Sequence, residues 1–123
     1  AEALATDWSE EALSVAALNA ERNGVRIETA RLAWGDEAPL QGPWDLVLGA
    51  DLLYERRNVG QLLALLPQLG VEVLLADPGR PALGAFLGGA AARWTIEVLP
   101  AAELPRGGVH RLRARPSPVP HPA

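Results

Sequence analysis

Asp51 and Tyr54 stand three residues apart at the end of the run Trp44-Asp45-Leu46-Val47-Leu48-Gly49-Ala50, and this pair has the clearest chemical potential in the chain. One helical turn brings positions three apart onto the same face, so a carboxylate and a phenol would meet over one mouth. Together they could orient an amine nucleophile and accept its proton indirectly. Gly49 and Ala50 are small enough to let a ligand approach the backbone. The structural alternative is that Asp51 closes a turn while Tyr54 packs. Asp7 and Trp8 form a second pair. A carboxylate at a strand end can accept both hydroxyls of a ribose, and an indole beside it offers a stacking surface for a base. Equally, Asp7 could cap the helix that follows. Trp34, before Gly35, ends a third stretch where a ring could cover a sheet edge or lie against a base. Asp77-Pro78-Gly79-Arg80 is a fourth strand-end turn.

What is missing narrows the chemistry. The 123 residues contain no Cys, which excludes a disulfide framework, a thiol nucleophile and a Cys-based metal site. His110 and His121 cannot be assembled into a Ser-His-Asp set or a metal cluster, and no phosphate-binding loop occurs, so no metal is expected. All 11 basic residues are arginines, and a net charge of −4 without a basic cluster argues against a nucleic-acid partner. The alternating Arg111, Arg113 and Arg115 read as a solvated strand face. No apolar run is long enough to span a bilayer. Ala1-Glu2-Ala3-Leu4 lacks the basic region of a signal peptide, so the expected compartment is the cytoplasm.

The elements that must position these residues follow from periodicity. Leu4 to Thr6 reads as a buried strand stopping at Asp7. Ser9 is placed as a helix N-cap, with Glu10 and Glu11 in the first turn, a stripe of Leu13, Ala16, Ala17 and Ala20, and a stop at Asn23-Gly24. Val25 to Ala33 suits a strand near a sheet edge, and Trp44 to Ala50 is the next strand. Asn58 can cap a helix with the stripe Val59, Leu62, Leu63 and Leu66, ended by Pro67. Val71 to Ala76 reads as a strand covered on both faces. Pro81 begins a helix with the stripe Leu83, Phe86, Leu87 and Ala90. Trp94, Ile96 and Val98 alternate with polar residues, and Gly107-Gly108 leads into a last strand with His110, Leu112 and Ala114 on one face. Pro116 to Ala123 is expected to be an extended, disordered tail. The order β-α-β-β-α-β-α-β-β predicts a single α/β domain, a Rossmann-like, doubly wound and mostly parallel sheet with a C-terminal antiparallel hairpin.

Four segments in this order resemble a class I S-adenosylmethionine-dependent methyltransferase, more narrowly the family-16 group of seven-strand protein lysine methyltransferases and their bacterial relatives. Ala5-Thr6-Asp7-Trp8-Ser9 with Asn19-Ala20-Glu21-Arg22-Asn23-Gly24 looks like that group's second strand and helix. Leu32-Ala33-Trp34-Gly35 looks like its Trp motif. Asp45 to Tyr54 looks like its D-x-x-Y strand, and Ala76-Asp77-Pro78-Gly79-Arg80 like the fifth-strand turn of bacterial members. The likeness covers residues 3–115. It implies that Asp7 and Trp8 border the cofactor, with Asp7 holding the ribose, that Trp34 lies against the adenine, and that Ala50 contacts the cofactor through its backbone. Asp51 and Tyr54 would then line the acceptor side as the catalytic pair. Ala33 departs from the acidic residue that many relatives carry before the Trp.

The larger departure is that no glycine-rich G-x-G-x-G turn precedes Asp7. In the family that turn ends the first strand, which lies in the middle of the sheet. Without it, the strands ending at Asp7 and Ala50 have no common neighbour and an open edge lies on each side. The expectation is therefore that residues 1–115 are the C-terminal part of one methyltransferase domain and are inactive alone. The expected function is methyl transfer from S-adenosylmethionine to a protein side-chain nitrogen, lysine-like, with a small-molecule amine as another acceptor. Alternatives are a non-catalytic Rossmann-like module and an NAD- or nucleotide-binding domain.

Overall fold

A computed structural model describes residues 2–35 and 42–116. Its elements run β1 (Leu4–Asp7), α1 (Glu10–Arg22), β2 (Glu28–Arg31), β3 (Val47–Ala50), α2 (Arg56–Leu69), β4 (Glu72–Asp77), α3 (Leu83–Ala90), β5 (Trp94–Leu99) and β6 (Gly108–Ala114). This is the order predicted from the sequence, and the fold is α/β and Rossmann-like. Residues 117–123 of the expected tail lie outside the described residues. Among the described residues no helix is long and apolar enough to cross a membrane. The chain falls into two compact units, residues 1–39 and 40–123.

The first unit is a β-α-β crossover. The Ser9 hydroxyl accepts from the Ala12 N–H at 3.3 Å and opens α1, with Glu10 and Glu11 favourably placed in the first turn. Leu13 and Ala20 are its buried residues. Such a crossover lets β1 and β2 pair in parallel, in the register Leu4↔Glu28 to Asp7↔Arg31. β2 is shorter than the expected Val25–Ala33. The reason lies at the end of α1, where the N–H groups of Asn23, Gly24 and Val25 all donate to helix carbonyls and Gly24 takes φ +66°. Val25 is therefore committed to terminating the helix and cannot join the sheet.

The second unit holds a four-stranded sheet in the order β3-β4-β6-β5. β3 and β4 are parallel, while β6 is antiparallel to both β4 and β5. The C-terminal hairpin thus inserts its second strand between β4 and β5, and β3 stands at the sheet edge. Val73, Leu75 and Asp77 are the buried positions of β4, and Leu112 and His110 sit opposite Val73 and Leu75 on the same face. With Leu62, Leu65 and Leu66 of α2, Phe86 of α3 and Trp94 of β5 they supply most of this unit's buried side chains. On the other face Arg111 approaches Glu72 and Glu97 across the strands, at 3.5 and 3.6 Å. Arg113 approaches Glu72 as well, at 3.7 Å, so two arginines of the stripe form cross-strand ion pairs, while Arg115 Nε donates to the Ala91 carbonyl at 3.0 Å.

Three local expectations change. Trp44 makes a single bridge to Gly70, and the strand proper begins at Val47. Asn58 lies in the first turn of α2, and its Oδ1 accepts from the Glu55 N–H at 2.9 Å, so it reaches back to the cap residue. Pro67 does not end α2, which runs on to Leu69. Pro67 removes one N–H from the last turn, but the burial of Leu65 and Leu66 and the bond from the Gly70 N–H to the Leu66 carbonyl carry the helix past it.

Candidate functional site

The candidate residues divide between the two units. In the first, Asp7 closes β1 and its Oδ1 accepts from the Ser9 N–H at 2.9 Å, which turns the carboxylate toward the start of α1. The capping role and a ribose role are compatible, because a carboxylate has acceptor sites to spare. Trp8 is 70% exposed, and its carbonyl accepts from Arg31 Nε at 2.9 Å, tying the strand end to β2. Trp34 lies in the turn after β2 and is half-buried.

In the second unit the end of β3 is set by its pairing with β4. Ala50 sits opposite Ala76, and the Asp51 N–H donates to the Ala76 carbonyl at 2.8 Å. Asp51 then takes φ +52°, a left-handed conformation that Asp tolerates better than most residues. That turn directs its carboxylate to Arg80, whose Nε and second terminal nitrogen donate to Oδ1 and Oδ2 at 2.8 and 2.9 Å. These two bonds hold the Asp51 carboxyl below the usual carboxylate range and push the Arg80 guanidinium higher still. The guanidinium carbon also lies 5.9 Å from the centre of the Tyr54 ring. Tyr54 is 60% exposed, so the alternative in which it packs away is not the one adopted.

Gly49 has a packing role. A Cβ there would fall 2.6 Å from Leu52 Cδ1 and 3.2 Å from Leu75 Cδ1, so Leu52 fills the space that the glycine leaves. The other face of the strand carries Ala50 beside a shallow apolar depression lined by Leu48, Leu74, Ala76 and Val109.

Sequence reasoning did not assign a role to Arg80 or to the residue that holds it. Asp77 is fully buried, and its Oδ2 accepts from the N–H groups of Gly79 and Arg80, both at 2.8 Å. Gly79 takes φ +106°, where a Cβ would lie 2.6 Å from the Arg106 carbonyl oxygen. The Asp-Pro-Gly-Arg turn is thus a fixed base from which the Arg80 side chain reaches Asp51. The sequence marks the turn itself, through Asp77-Pro78-Gly79 after an aliphatic strand, but not the reach of Arg80 to Asp51.

Solved structures with this fold include a protein from Pyrococcus horikoshii (11% identity, TM-score 0.71), a methyltransferase from Geobacter sulfurreducens (14%, 0.62) and a methyltransferase from Pyrococcus furiosus (16%, 0.61). Their matches cover 93%, 92% and 90% of this chain, and the chain spans 72%, 58% and 60% of their lengths. No curated protein matches the chain in sequence. The sequence profile of the lysine methyltransferase family matches residues 1–74, a stretch that includes Asp7, Trp34, Asp51 and Tyr54. With more than half of its length so matched, the chain belongs to the lysine methyltransferase family.

Proposed function

We propose that the protein transfers a methyl group from S-adenosylmethionine to a side-chain nitrogen of a protein, lysine first among the candidates, in the cytoplasm. The family match over residues 1–74 carries this reading. The residues present suit the cofactor: Asp7 is an acceptor-only carboxylate at a strand end, Trp8 exposes its indole beside it, and Ala50 exposes a small residue at the end of β3. In this reading Asp7 accepts from the ribose hydroxyls, Trp8 and Trp34 offer ring surface to the adenine, and the backbone at Ala50 borders the cofactor.

Bound S-adenosylmethionine supplies an electrophilic methyl carbon on a sulfonium. The nitrogen–carbon bond forms as the carbon–sulfur bond breaks, so the chain must position an acceptor nitrogen that holds a free lone pair. Asp51 and Tyr54 orient that nitrogen, and the proton released leaves to solvent, with no strong base required. This suits a chain without Cys and with two His. A small-molecule amine is the second candidate acceptor.

The test uses the product of the whole open reading frame. Calorimetric titration with S-adenosylmethionine is expected to show binding that Asp7→Ala weakens by about 10-fold or more, the loss of hydrogen bonds to a charged acceptor. Unchanged affinity removes the ribose role. Absence of any binding favours the non-catalytic module, and preference for NAD favours the dinucleotide alternative. Transfer of labelled methyl onto lysine-containing proteins and onto simple amines then identifies the acceptor class. These 123 residues contain no Lys, so label on lysine within them cannot arise.

A further inference from the structure

Asp51 is the acidic group nearest to the proposed acceptor corner, yet its carboxylate is already engaged. Arg80 donates to both oxygens in a fork, the strongest geometry available to a carboxylate in contact with a side chain. Both ends of the contact are fixed by backbone. Asp51 is held by its bond to Ala76 and its left-handed turn, and Arg80 by the two bonds to buried Asp77. Each Asp51 oxygen keeps a further lone pair, and the side chains of Asp51 and Arg80 are 46% and 42% exposed. A ligand can therefore reach the carboxylate, but it meets a neutralised pair.

The groups that bear on this pair are Asp77 beneath Arg80 and the Tyr54 ring beside it. Glu55, the next acidic residue along the chain, is engaged with Arg57 at 2.7 Å. Among the described residues the carboxylates exposed at the corner, Asp51 and Glu55, are therefore both ion-paired, and Asp77, which has no ion-pair partner, is fully buried beneath them. The distinction matters to methyl transfer. An ammonium group has no lone pair and cannot be methylated, and an unpaired carboxylate would stabilise that form.

We propose that Arg80 is a specificity-determining residue that screens Asp51, so that the corner admits an uncharged amine and turns away an ammonium. The inference rests on Asp51 and Tyr54 lining the acceptor side. Arg80 contributes by fixing the Asp51 carboxylate in place and cancelling its field, and the remaining Asp51 lone pairs orient the amine N–H.

n-Butylamine, which is almost wholly ammonium at pH 7, is the probe, and binding is followed in every variant by NMR at the ring of Tyr54, the single tyrosine of the chain. Arg80→Gln is expected to bind it about three- to ten-fold more tightly than the unaltered protein, as a half-exposed carboxylate regains its charge. Adding Asp51→Asn to Arg80→Gln should remove the gain. Arg80→Lys, which keeps the charge without the fork, should fall between. Equal affinity in the unaltered protein and Arg80→Gln overturns the proposal, as does a gain that survives Asp51→Asn. Titration of the same samples with S-adenosylmethionine keeps the two readings apart: failure to bind cofactor with the amine pattern intact removes methyl transfer and leaves the screen standing.

Discussion

The buried carboxylate of Asp77 holds the backbone of Arg80, with Oδ2 accepting from the Arg80 N–H at 2.8 Å and from the Gly79 N–H at the same distance. Removal of that carboxylate leaves two N–H groups of a tight turn without their acceptor. Asp77→Ala is expected to destabilise the protein by about 2 kcal/mol in urea unfolding. It should also broaden the Arg80 Nε–H signal, because the guanidinium loses its fixed base. A sharp signal in Asp77→Ala would show that the turn holds itself.

Three glycines of α3 separate by what surrounds them. A Cβ at Gly84 or Gly88 meets nothing within 4 Å, whereas one at Gly89 would lie 2.6 Å from Leu63 Cδ1. Gly84→Ala and Gly88→Ala are each expected to add about 0.5–1 kcal/mol of stability through helix propensity. Gly89→Ala should gain less or lose, since Leu63 must shift. Urea midpoints of the three variants check the order.

Gly79 stands at the opposite extreme. Its φ of +106° and the approach to the Arg106 carbonyl oppose any side chain. Gly79→Ala should cost about 2 kcal/mol or more. It should also weaken the Asp51–Arg80 contact, seen as a shift of the Arg80 Nε–H. A neutral Gly79→Ala would contradict this account of the turn.

The pH dependence follows from the sign of the Asp51 displacement. Hydrogen bonds from Arg80 lower the folded-state carboxyl below its unfolded value. The contribution of the pair is therefore fully present above the ordinary carboxylate range, near pH ~4, and is lost as pH falls through the lower folded-state value. Carbonyl-detected NMR is expected to show Asp51 titrating at lower pH in the unaltered protein than in Arg80→Gln. Coincident curves would remove the hydrogen bonds as the cause.

Local signals placed most of the elements. Ser9 with Glu10 and Glu11 starts a helix whatever surrounds it, and the aliphatic run 71–76 gives a strand, although only the Val73, Leu75 and Asp77 face is buried and the expected cover on the other face is partial. What escaped depends on partners remote in sequence. The β3–β4 register, Ala50 opposite Ala76, is what carries Asp51 to Arg80 across 29 positions, and neither residue announces it. Pro67 misled because its cost is local while the burial that outweighs it is tertiary. Leu53 is 1% exposed although it sits in an irregular stretch with no periodicity to mark it. Gly49 was read as room for a ligand, and only the position of Leu52 shows what fills that room.

Among the described residues the edge position of β3 leaves a place where a further strand can add. Val47–Ala50 presents one row of amides and carbonyls with no strand paired to it among the described residues, and Leu48 beside them is 71% exposed. Nothing in Val-Leu-Gly-Ala deters a copy of another extended chain from adding there, since the stretch has no charge, proline or bulge. For the 123-residue chain, Leu48→Lys is expected to reduce any self-association along this edge without touching the buried face, and sedimentation of the two proteins at high concentration checks it.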